Sequence, residues 1–358
     1  MKLCILGSGL SALTLAKALA NENIYVDIIC PNKNYRINKS RTIGISKSNF
    51  QYLNKNIINI EEIGWKLNKI QIYSDNLKNE ILLNFENNKD HLFSIVKNHK
   101  IYEILNKSLS KNKFFKKIIL GKKVIKYNDY DLIINSEYNN FFTKKYFSNK
   151  MTKTYESLAY TTIIQHEKIS NGTAIQIFTK NGPLAFLPIS RDKTSIVYSI
   201  NNSHNIKKDK INSLINKYNF KYKIKKINEI ESFPLKSYSL RSYYHENILA
   251  FGDLLHKIHP LAGQGFNMTI RDINILINII KAKIDLGLPL DKSINSQFEQ
   301  KLKNKNFLFL NGIDLIYELF NFERKVSNNF LSKSIKLLGN NPSINKMFTK
   351  LADKGINF

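Results

Sequence analysis

The sequence predicts an α/β fold with three parts: a parallel-sheet domain built from separated segments, an antiparallel second sheet, and helices at the carboxyl end. Two observations predict this class. Near each end of the chain, a short apolar strand, a glycine-rich turn and a helical pattern follow one another directly. Between these two motifs lie several stretches in which apolar and polar residues alternate, as they do in strands with one buried face.

The amino-terminal motif is a strand, a turn, a helix and a second strand. Met1–Leu6 (MKLCIL) is short and apolar, GSGLSA (Gly7–Ala12) is rich in glycine, Leu10–Ala20 has helical spacing, and Ile24–Cys30 is again strand-like. This order predicts a Rossmann-like βαβ unit that binds an adenine dinucleotide. A glycine turn that serves only packing gives the same pattern, so that alternative stays open at this point.

Each small residue of this turn has a predicted role. Gly7 permits the tight turn, Gly9 lets a pyrophosphate approach the backbone, and Ala12 takes the place of a third glycine where the helix packs closely. The acid expected after the second strand, which would bind the adenosine ribose, is replaced by Cys30 and a proline. Ribose binding must therefore use Asn32 or backbone atoms, or be weaker.

A second motif occupies residues 248–272. The apolar run Ile248–Phe251 predicts a buried strand, and Gly252 allows a turn after it. Asp253 then places a carboxylate at the carboxyl end of the strand, where open α/β sheets bind ligands. A carboxylate in this position suits a ribityl hydroxyl.

The rest of this motif predicts a helix start that faces a ligand. Pro260, Gly263 and Gly265 keep the turn tight, and a helix is predicted from Asn267 to about Ile280. The free N–H groups and the positive dipole end of this helix can face the pyrimidine edge of an isoalloxazine, which gains negative charge on reduction. The motif as a whole therefore predicts a flavin site.

An ordinary strand, loop and helix is the alternative interpretation of the same residues. His256 and His259 would then be surface residues. Their H-x-x-H spacing could also hold a metal, but no cysteine or carboxylate trio lies nearby in the sequence, so we expect no metal site.

Two separated halves of a flavin site resemble the single-component flavoprotein aromatic monooxygenases, and more narrowly the ubiquinone-biosynthesis hydroxylases among them. The resemblance runs nearly end to end. The segment with His-Glu, Gly-Pro-Leu-Ala and Leu-Pro singles out the quinone branch. The segments that carry the resemblance are GSGLSA, RTIGIS (Arg41–Ser46) with the helix-like Asn49–Leu53, IVKNHKIYEIL (Ile95–Leu105), HEKISNGTAIQIFTKNGPLAFLPI (His166–Ile189), FPL (Phe233–Leu235) and GDLLHKIHPLAGQGFN.

The resemblance implies a set of site residues. Arg41 is one of only six arginines among 55 basic residues, and its fork-shaped donor suits a pyrophosphate or ribityl group; a surface ion pair is the alternative. Asn98 precedes a helical pattern and has the alternative of capping it. The implied flavin contacts are Gly7, Gly9, Arg41, Asn98, Asp253, Gly265 and Asn267; the backbone around Pro260 and Gly263 would shape the oxygen site, and Phe186 and Pro188 would line the ring pocket, with packing as the alternative for both.

The activity that the resemblance implies is hydroxylation of a prenylated phenol in ubiquinone biosynthesis. FAD would be reduced by transiently bound NAD(P)H, and a flavin C4a-hydroperoxide formed with O₂ would transfer one oxygen. One stretch departs from the family, because Glu137 and Tyr138 replace the usual Asp-Gly pair that supports flavin and reduced nicotinamide. Two alternatives therefore remain: a flavin-dependent isoprenoid reductase or dehydrogenase, and a non-catalytic flavin-binding subunit of a quinone-biosynthesis complex.

Composition bounds the partners. The formal net charge is +27, but the lysines are scattered and no basic helix or aromatic nucleic-acid motif occurs, so we expect no nucleic-acid binding. Peripheral attraction to anionic lipid is one use of this charge, and a solvated lysine-rich face is the other. With no signal segment or membrane span, and with Cys4 and Cys30 in strands predicted to be buried, we expect a cytoplasmic protein without disulfides, with peripheral association to the inner membrane as an option.

The alternating pattern predicts the domain organisation. Residues 1–63, 92–150 and 232–300 would form the discontinuous FAD-binding domain, 64–91 and 151–231 the substrate-binding sheet, and 301–358 a helical segment. Phe307–Phe320 would be a buried core helix or a wall of an apolar substrate channel. The predicted strands of the sheet are Gly64–Tyr73, Leu82–Phe85, Ser157–His166, Thr173–Thr179, Leu184–Ile189 and Ser195–Ile200, with a helix at Lys207–Tyr218.

Overall fold

The computed structural model describes residues 2–30, 39–75, 80–87, 90–120, 127–201, 206, 208–259, 263–326, 330–339 and 341–356. In these parts the strands form three sheets, of six, nine and three strands. The strands are β1 (Lys2–Leu6), β2 (Tyr25–Cys30), β3 (Thr42–Ser46), β4 (Trp65–Leu67), β5 (Lys69–Ser74), β6 (Ile81–Glu86), β7 (Phe93–Lys97), β8 (Phe115–Ile119), β9 (Leu132–Asn135), β10 (Lys150–His166), β11 (Thr173–Thr179), β12 (Gly182–Pro188), β13 (Lys193–Asn201), β14 (Ile224–Ile227), β15 (Glu231–Leu240), β16 (Tyr244–His245), β17 (Ile248–Ala250) and β18 (His256–Lys257). The helices are α1 (Leu10–Asn21), α2 (Lys47–Tyr52), α3 (Asn98–Leu109), α4 (Phe141–Tyr146), α5 (Lys208–Tyr218), α6 (Gly265–Asp285), α7 (Ser293–Val326), α8 (Phe330–Gly339) and α9 (Pro342–Lys354).

The six-stranded sheet is the parallel sheet that the two motifs predict. Its order is β16-β17-β9-β1-β2-β8, and only the short β16 is antiparallel to its neighbour. Leu3, Cys4 and Ile5 are consecutive in β1 and so point to alternate faces, and all three are fully buried, which shows that both faces of this strand are covered. The first βαβ unit and the strand of the late motif therefore belong to one sheet, as the sequence predicts.

The nine-stranded sheet is mixed. Its order is β18-β15-β10-β13-β12-β11-β5-β6, with β14 paired to β10. Short turns join β11, β12 and β13, and such turns force antiparallel pairing. β5 comes from a distant segment, so no hairpin sets its direction, and it pairs parallel with β11. The predicted purely antiparallel sheet is corrected at this pair.

The two faces of the nine-stranded sheet have different neighbours. α5 covers one face, where Ile211 and Ile215 pack against Ile196 and Tyr198 of β13. The opposite face, which we call the inner face, meets β3: the hydroxyl of Thr42 donates a hydrogen bond to that of Ser195 at 2.8 Å. The inner face is therefore turned towards the parallel-sheet part of the molecule.

Two segments bear on the predicted domain limits. β15 pairs with β10 in the nine-stranded sheet, although most of it was assigned from the sequence to the FAD-binding domain. β4 pairs with β7 in the three-stranded sheet, although it was assigned to the substrate-binding sheet. The remaining limits stay a prediction.

The helices α7 to α9 contact both the nine-stranded sheet and the part of the molecule that contains α2. Phe320 of α7 stacks on Phe178 of β11, with ring centroids 3.6 Å apart. At the end of α9, Asp353 accepts a hydrogen bond from the N–H of Ser48 at 2.8 Å, at the start of α2. Among the helices in the described ranges, none is long and apolar enough to cross a bilayer.

Candidate functional site

The two glycine motifs meet at one edge of the six-stranded sheet. Leu6 at the end of β1 and Ala250 at the end of β17 both pair with Asn135 at the end of β9. The turns that follow these three parallel strands therefore leave the sheet side by side, at the carboxyl edge where α/β sheets bind ligands. A depression of about 740 Å³ lies instead at the amino ends of β9 and β17, beside Asp131 and Asn247. It is therefore not part of this site.

Two glycines allow the turns to pack this closely. Gly7 has a φ of +116°, and a Cβ there would overlap the hydroxyl of Ser136, which follows β9. Gly252 has a φ of +62°, and a Cβ there would lie 2.7 Å from the Cβ of Ser11 in the first turn of α1. The late motif therefore packs directly on the amino-terminal one. A side chain at Gly252 would separate the two motifs, and one at Gly7 would push the first turn away from Ser136.

The start of α1 is open to an anion. Gly9 occupies the N-cap position, and no side chain of the described residues caps the helix or places an acid in its first turn. The backbone N–H groups of Leu10, Ser11 and Ala12 have no acceptor within the helix, because the first intrahelical bond runs from Leu13 to Gly9. Free N–H groups and a positive dipole end fit a pyrophosphate. Ala12 is fully buried, which agrees with its predicted packing role.

Asp253 lies at the junction of the two motifs. Its side chain is exposed, whereas its backbone oxygen accepts hydrogen bonds from the hydroxyls of Tyr138 and Tyr238. Burial, with a further contribution from Asp253, raises the pKa of Tyr238, so this hydroxyl stays protonated and acts as a donor. The two hydrogen bonds to the backbone oxygen fix the position of Asp253, and its carboxylate faces solvent. This position suits the predicted contact with a ribityl chain.

The stretch that departs from the family pattern forms a closed turn. The carboxylate of Glu137 accepts the N–H of Tyr138 at 3.1 Å, and the side chain of Asn135 accepts the N–H of Glu137 at 3.1 Å. The ring of Tyr138 spans from this turn to Asp253 and meets the ring of Tyr238 edge-on, with centroids 6.0 Å apart. The bulk of Tyr138 is therefore directed at the turn after β17.

Arg41 and Asn98 lie together beside the three-stranded sheet. The N–H of Asn98 donates to the backbone oxygen of Arg41 at 3.0 Å. The Arg41 guanidinium is exposed and lies over the ring of Phe233 at 4.5 Å, and among the described residues no ion pair includes it. Lys97 is the N-cap of α3, so Asn98 is the first residue of the helix and does not cap it. Both roles towards the flavin stay predictions.

The turn before α6 is tied to β3. Gly263 has a φ of +63°, and a Cβ there would lie 3.6 Å from the backbone nitrogen of Gly44. Gly265 is the first residue of α6, whose first turn receives no side-chain cap from the described residues. Pro260 and its two successors lie outside the described residues. The predicted backbone shaping of an oxygen site by Gly263 is compatible with this position and stays a prediction.

The side chain of Asn267 forms hydrogen bonds within the protein. It is fully buried; its oxygen accepts from the N–H of Ser46 at 2.9 Å and from Asn49 at 3.0 Å, and its nitrogen donates to the backbone oxygen of Gly44 at 2.9 Å. These bonds use both ends of the amide. The backbone N–H of Asn267, in the first turn of α6, is the group left free for a flavin contact, and that contact stays a prediction.

Phe186 and Pro188 do not face the parallel-sheet part. Phe186 is buried in the cluster beneath α5, with its ring centroid 5.9 Å from that of Tyr222. Pro188 lies two residues further along β12 and therefore points to the same face. The prediction that they line the ring pocket is corrected: alternation predicts that the two residues share a face, but not which of the two faces it is.

Sequence reasoning missed a buried aromatic cluster that includes His259, the last described residue of the late motif before Gly263. The ring of His259 lies 4.8 Å from that of Tyr155 on β10 and 4.5 Å from that of Tyr317 on α7. The hydroxyl of Tyr155 donates to Asp314, and that of Tyr317 donates to Asn201 at 2.7 Å. Burial lowers the pKa of His259 to about 3, so its imidazole is neutral at physiological pH. The sequence signal for this cluster was the spacing of Asp314 and Tyr317, which are three residues apart and so lie on the same side of one helix.

The two histidines of the late motif are buried, which corrects the alternative that places them on the surface. His256 Nε2 lies 2.6 Å from the carboxylate of Asp272 on α6, and both side chains are 1% exposed. The described parts of the chain contain no group of three or more metal-ligating side chains. This pair therefore joins β18 to α6.

Comparisons with known proteins agree with this arrangement. Residues 195–285 match the family model described as "FAD binding domain". The 3-demethoxyubiquinol 3-hydroxylase of Escherichia coli K12 is 28% identical over 165 residues, which cover 44% of this chain and 42% of that protein. The mitochondrial ubiquinone biosynthesis monooxygenase COQ6 of Dictyostelium discoideum is 27% identical over 186 residues, which cover 41% and 38% of the two chains. The matches thus span about two fifths of these curated relatives.

A solved structure shows the same fold. The crystal structure of PqsL, a probable FAD-dependent monooxygenase of Pseudomonas aeruginosa, superposes with a TM-score of 0.71 at 12% identity, covering 94% of this chain and 99% of that one. The chain therefore has the Rossmann-like fold of this monooxygenase. Ubiquinone-biosynthesis hydroxylases are among its relatives in sequence, and the resemblance identified from the sequence is confirmed.

Proposed function

We propose that this protein is an FAD-dependent monooxygenase that adds one oxygen atom to the aromatic ring of a prenylated phenol during ubiquinone biosynthesis. One observation carries the proposal: the two glycine turns meet at the carboxyl edge of the parallel sheet, with an uncapped helix start and an exposed carboxylate side by side. The printed functions of the sequence relatives support the choice of substrate class.

The residues of this edge fit FAD. The first-turn N–H groups of α1 would hold the pyrophosphate, which approaches over Gly7 and Gly9 because neither has a side chain. Asp253 would accept hydrogen bonds from the ribityl chain, and the first turn of α6 would face the pyrimidine edge of the ring. When bound, FAD would supply the reductive activation of O₂ with electrons from NAD(P)H.

The inner face of the nine-stranded sheet would supply the wall for the phenol. His259, Tyr155 and Tyr317 form a buried aromatic cluster, and the neutral imidazole adds no charge to it. The carboxylate of Asp314 accepts a hydrogen bond from the hydroxyl of Tyr155, and this bond fixes the orientation of the tyrosine ring. We assign to this cluster the exclusion of water and the orientation of the substrate ring. A lipid-soluble substrate also implies work at a membrane surface, alone or with other enzymes of the pathway.

A turnover experiment tests the activity. Purified protein loaded with FAD is mixed with NADPH, oxygen and a short-chain prenylated phenol, and we expect oxygen uptake coupled to a product one oxygen atom heavier. Conversion that proceeds equally without oxygen would assign a reductase or dehydrogenase instead. Retention of FAD without any conversion of the phenol would assign the non-catalytic flavin-binding subunit, and failure to bind FAD would contradict the proposed function. Mass analysis of quinone intermediates after gene deletion identifies the ring position, because the accumulated compound lacks that oxygen.

Substitution of Asp253 tests the flavin contact. We expect Asp253→Ala to weaken FAD binding by about 10- to 100-fold, since a hydrogen bond to a charged group contributes about 1.5–3 kcal/mol. The apoprotein should melt at the wild-type temperature, because the interior uses only the backbone oxygen of this residue. Asp285→Ala, an exposed acid at the end of α6, is the matched control. Equal FAD affinity in Asp253→Ala and in the control would remove Asp253 from the site.

A further inference from the structure

One side of α7, which we call the outer face, exposes five apolar side chains over about four turns, with the uncharged Asn311 and Gly312 between them. The side chains of Phe307, Leu308, Leu315, Ile316 and Phe322 are between 44% and 61% exposed. Leu308, Leu315 and Phe322 recur every seven residues and therefore lie along one line, about 21 Å long at 1.5 Å per residue. The segment Phe307–Phe320 is thus only partly the core helix that the sequence predicts as the default.

Both acids of this stretch pair with residues of β10. The carboxylate of Asp314 accepts a hydrogen bond from the hydroxyl of Tyr155. Glu318, whose side chain is 45% exposed at the edge of the outer face, forms an ion pair with Lys153 at 3.0 Å. Tyr317 and Phe320 are buried on the same inward side. The helix therefore has two distinct faces, and the apolar outer one has no partner within the described chain.

The flanks of this face are basic. Lys301 and Lys303 lie on the preceding turns of α7 and are exposed. α8 packs against α7 and adds the exposed Lys333 and Leu337, the latter 74% exposed. An apolar patch with a basic rim marks an interaction surface, because monomeric soluble proteins rarely expose large contiguous apolar patches.

Charge decides between the candidate occupants of this face. A second copy of the chain would bring one formal charge of +27 against another. An anionic bilayer attracts the lysines and accepts the apolar side chains at the depth of its interface. We propose that the outer face of α7 binds the surface of an anionic phospholipid bilayer, with the helix lying in the plane of the membrane.

The same helix connects this face to the candidate substrate site. Its inward side chains Asp314 and Tyr317 contact Tyr155 and His259, which form the proposed wall for the phenol. A prenylated substrate taken from the bilayer would therefore need to pass only the thickness of one helix. This last step rests on the proposed function, whereas the contact with the membrane does not.

Vesicle flotation tests the membrane contact. The FAD-loaded protein is floated with vesicles of phosphatidylglycerol and phosphatidylcholine, and in parallel with pure phosphatidylcholine. We expect binding to the anionic vesicles and little to the neutral ones. The double variant Leu315→Glu/Phe322→Glu should bind the anionic vesicles more weakly by roughly tenfold or by a larger factor. It loses two apolar side chains that would enter the bilayer, and its two new carboxylates are repelled by the anionic lipid. The neutral variant Leu315→Gln/Phe322→Gln should also lose binding, which separates lost apolar contact from added charge.

The matched control carries the same charge change elsewhere. Phe141→Glu/Phe220→Glu alters two phenylalanines that are 65% and 53% exposed on other elements and should bind like the wild type. Equal losses in both double variants, or binding of the wild type to neutral vesicles alone, would overturn the proposal. A concentration-dependent dimer that only the α7 variants abolish would assign the face to a second copy. Turnover of a short-chain phenol without vesicles should be unchanged in the α7 variants, so its absence from the wild type counts against the proposed activity and not against the membrane contact.

Discussion

Asp272→Ala is expected to lower the free energy of unfolding by about 3–5 kcal/mol, because it leaves one member of a buried pair without its partner. The carboxylate lies 2.6 Å from His256 Nε2, and neither side chain reaches solvent. A loss of this size is a large part of the 5–15 kcal/mol by which a typical protein is stable. Urea titration of the apoprotein measures it.

The control for this substitution lies on the same helix. Asp285→Ala removes an exposed acid near the carboxyl end of α6 and should change the unfolding free energy by no more than about 0.5 kcal/mol. His256→Ala should destabilise to a similar extent as Asp272→Ala, and the double substitution should cost less than the sum of the two single ones. Additive losses would show that the two residues do not act as a pair.

Asn267→Ala is expected to cost about 3 kcal/mol or more in the apoprotein. It removes the acceptor of the Ser46 N–H and the donor to the Gly44 oxygen, and each buried polar group left without a partner costs about 1–3 kcal/mol. Because these bonds tie the start of α6 to β3, FAD affinity should fall together with stability. Thermal melting with and without FAD measures both effects.

A structural role of the Asn267 side chain and a direct flavin contact predict different stabilities of the Asn267→Ala apoprotein. If its side chain contacted the flavin instead, Asn267→Ala would weaken FAD binding and leave the apoprotein as stable as before. Asn278→Ala, an exposed asparagine on the same helix, serves as the control and should melt like the wild type. Unchanged apoprotein stability in Asn267→Ala would contradict the hydrogen bonds described above.

We expect the departures from the family pattern at Glu137 and Tyr138 to change the binding of NAD(P)H more than the binding of FAD. Tyr138 replaces a glycine, but its ring is directed to Asp253 and leaves the uncapped start of α1 open. Glu137 uses its carboxylate within its own turn. The helix start proposed to bind the dinucleotide is therefore open, and we expect the changed residues to affect reduction by NAD(P)H rather than the binding of FAD.

Local patterns were sufficient for the parallel-sheet part. An apolar strand before GSGLSA, an apolar strand before Gly252 and a helical period after Gly263 each predict an element from neighbouring residues alone. The right-handed βαβ rule then places the turns after these strands at one edge of the sheet, so the proximity of the two glycine motifs follows from the sequence.

Only the tertiary structure decided which faces and partners the remaining residues have. Phe186 and Pro188 share a face by alternation, but the packing of α5 decides that this face is turned away from β3. Asn267 begins a helix in either account, but its amide is used by β3, a strand more than two hundred residues earlier. His259, Tyr155 and Tyr317 come from three distant segments. Periodicity fixes elements because it acts between neighbours in the chain, whereas hydrogen-bond partners and buried faces depend on which distant segments pack together.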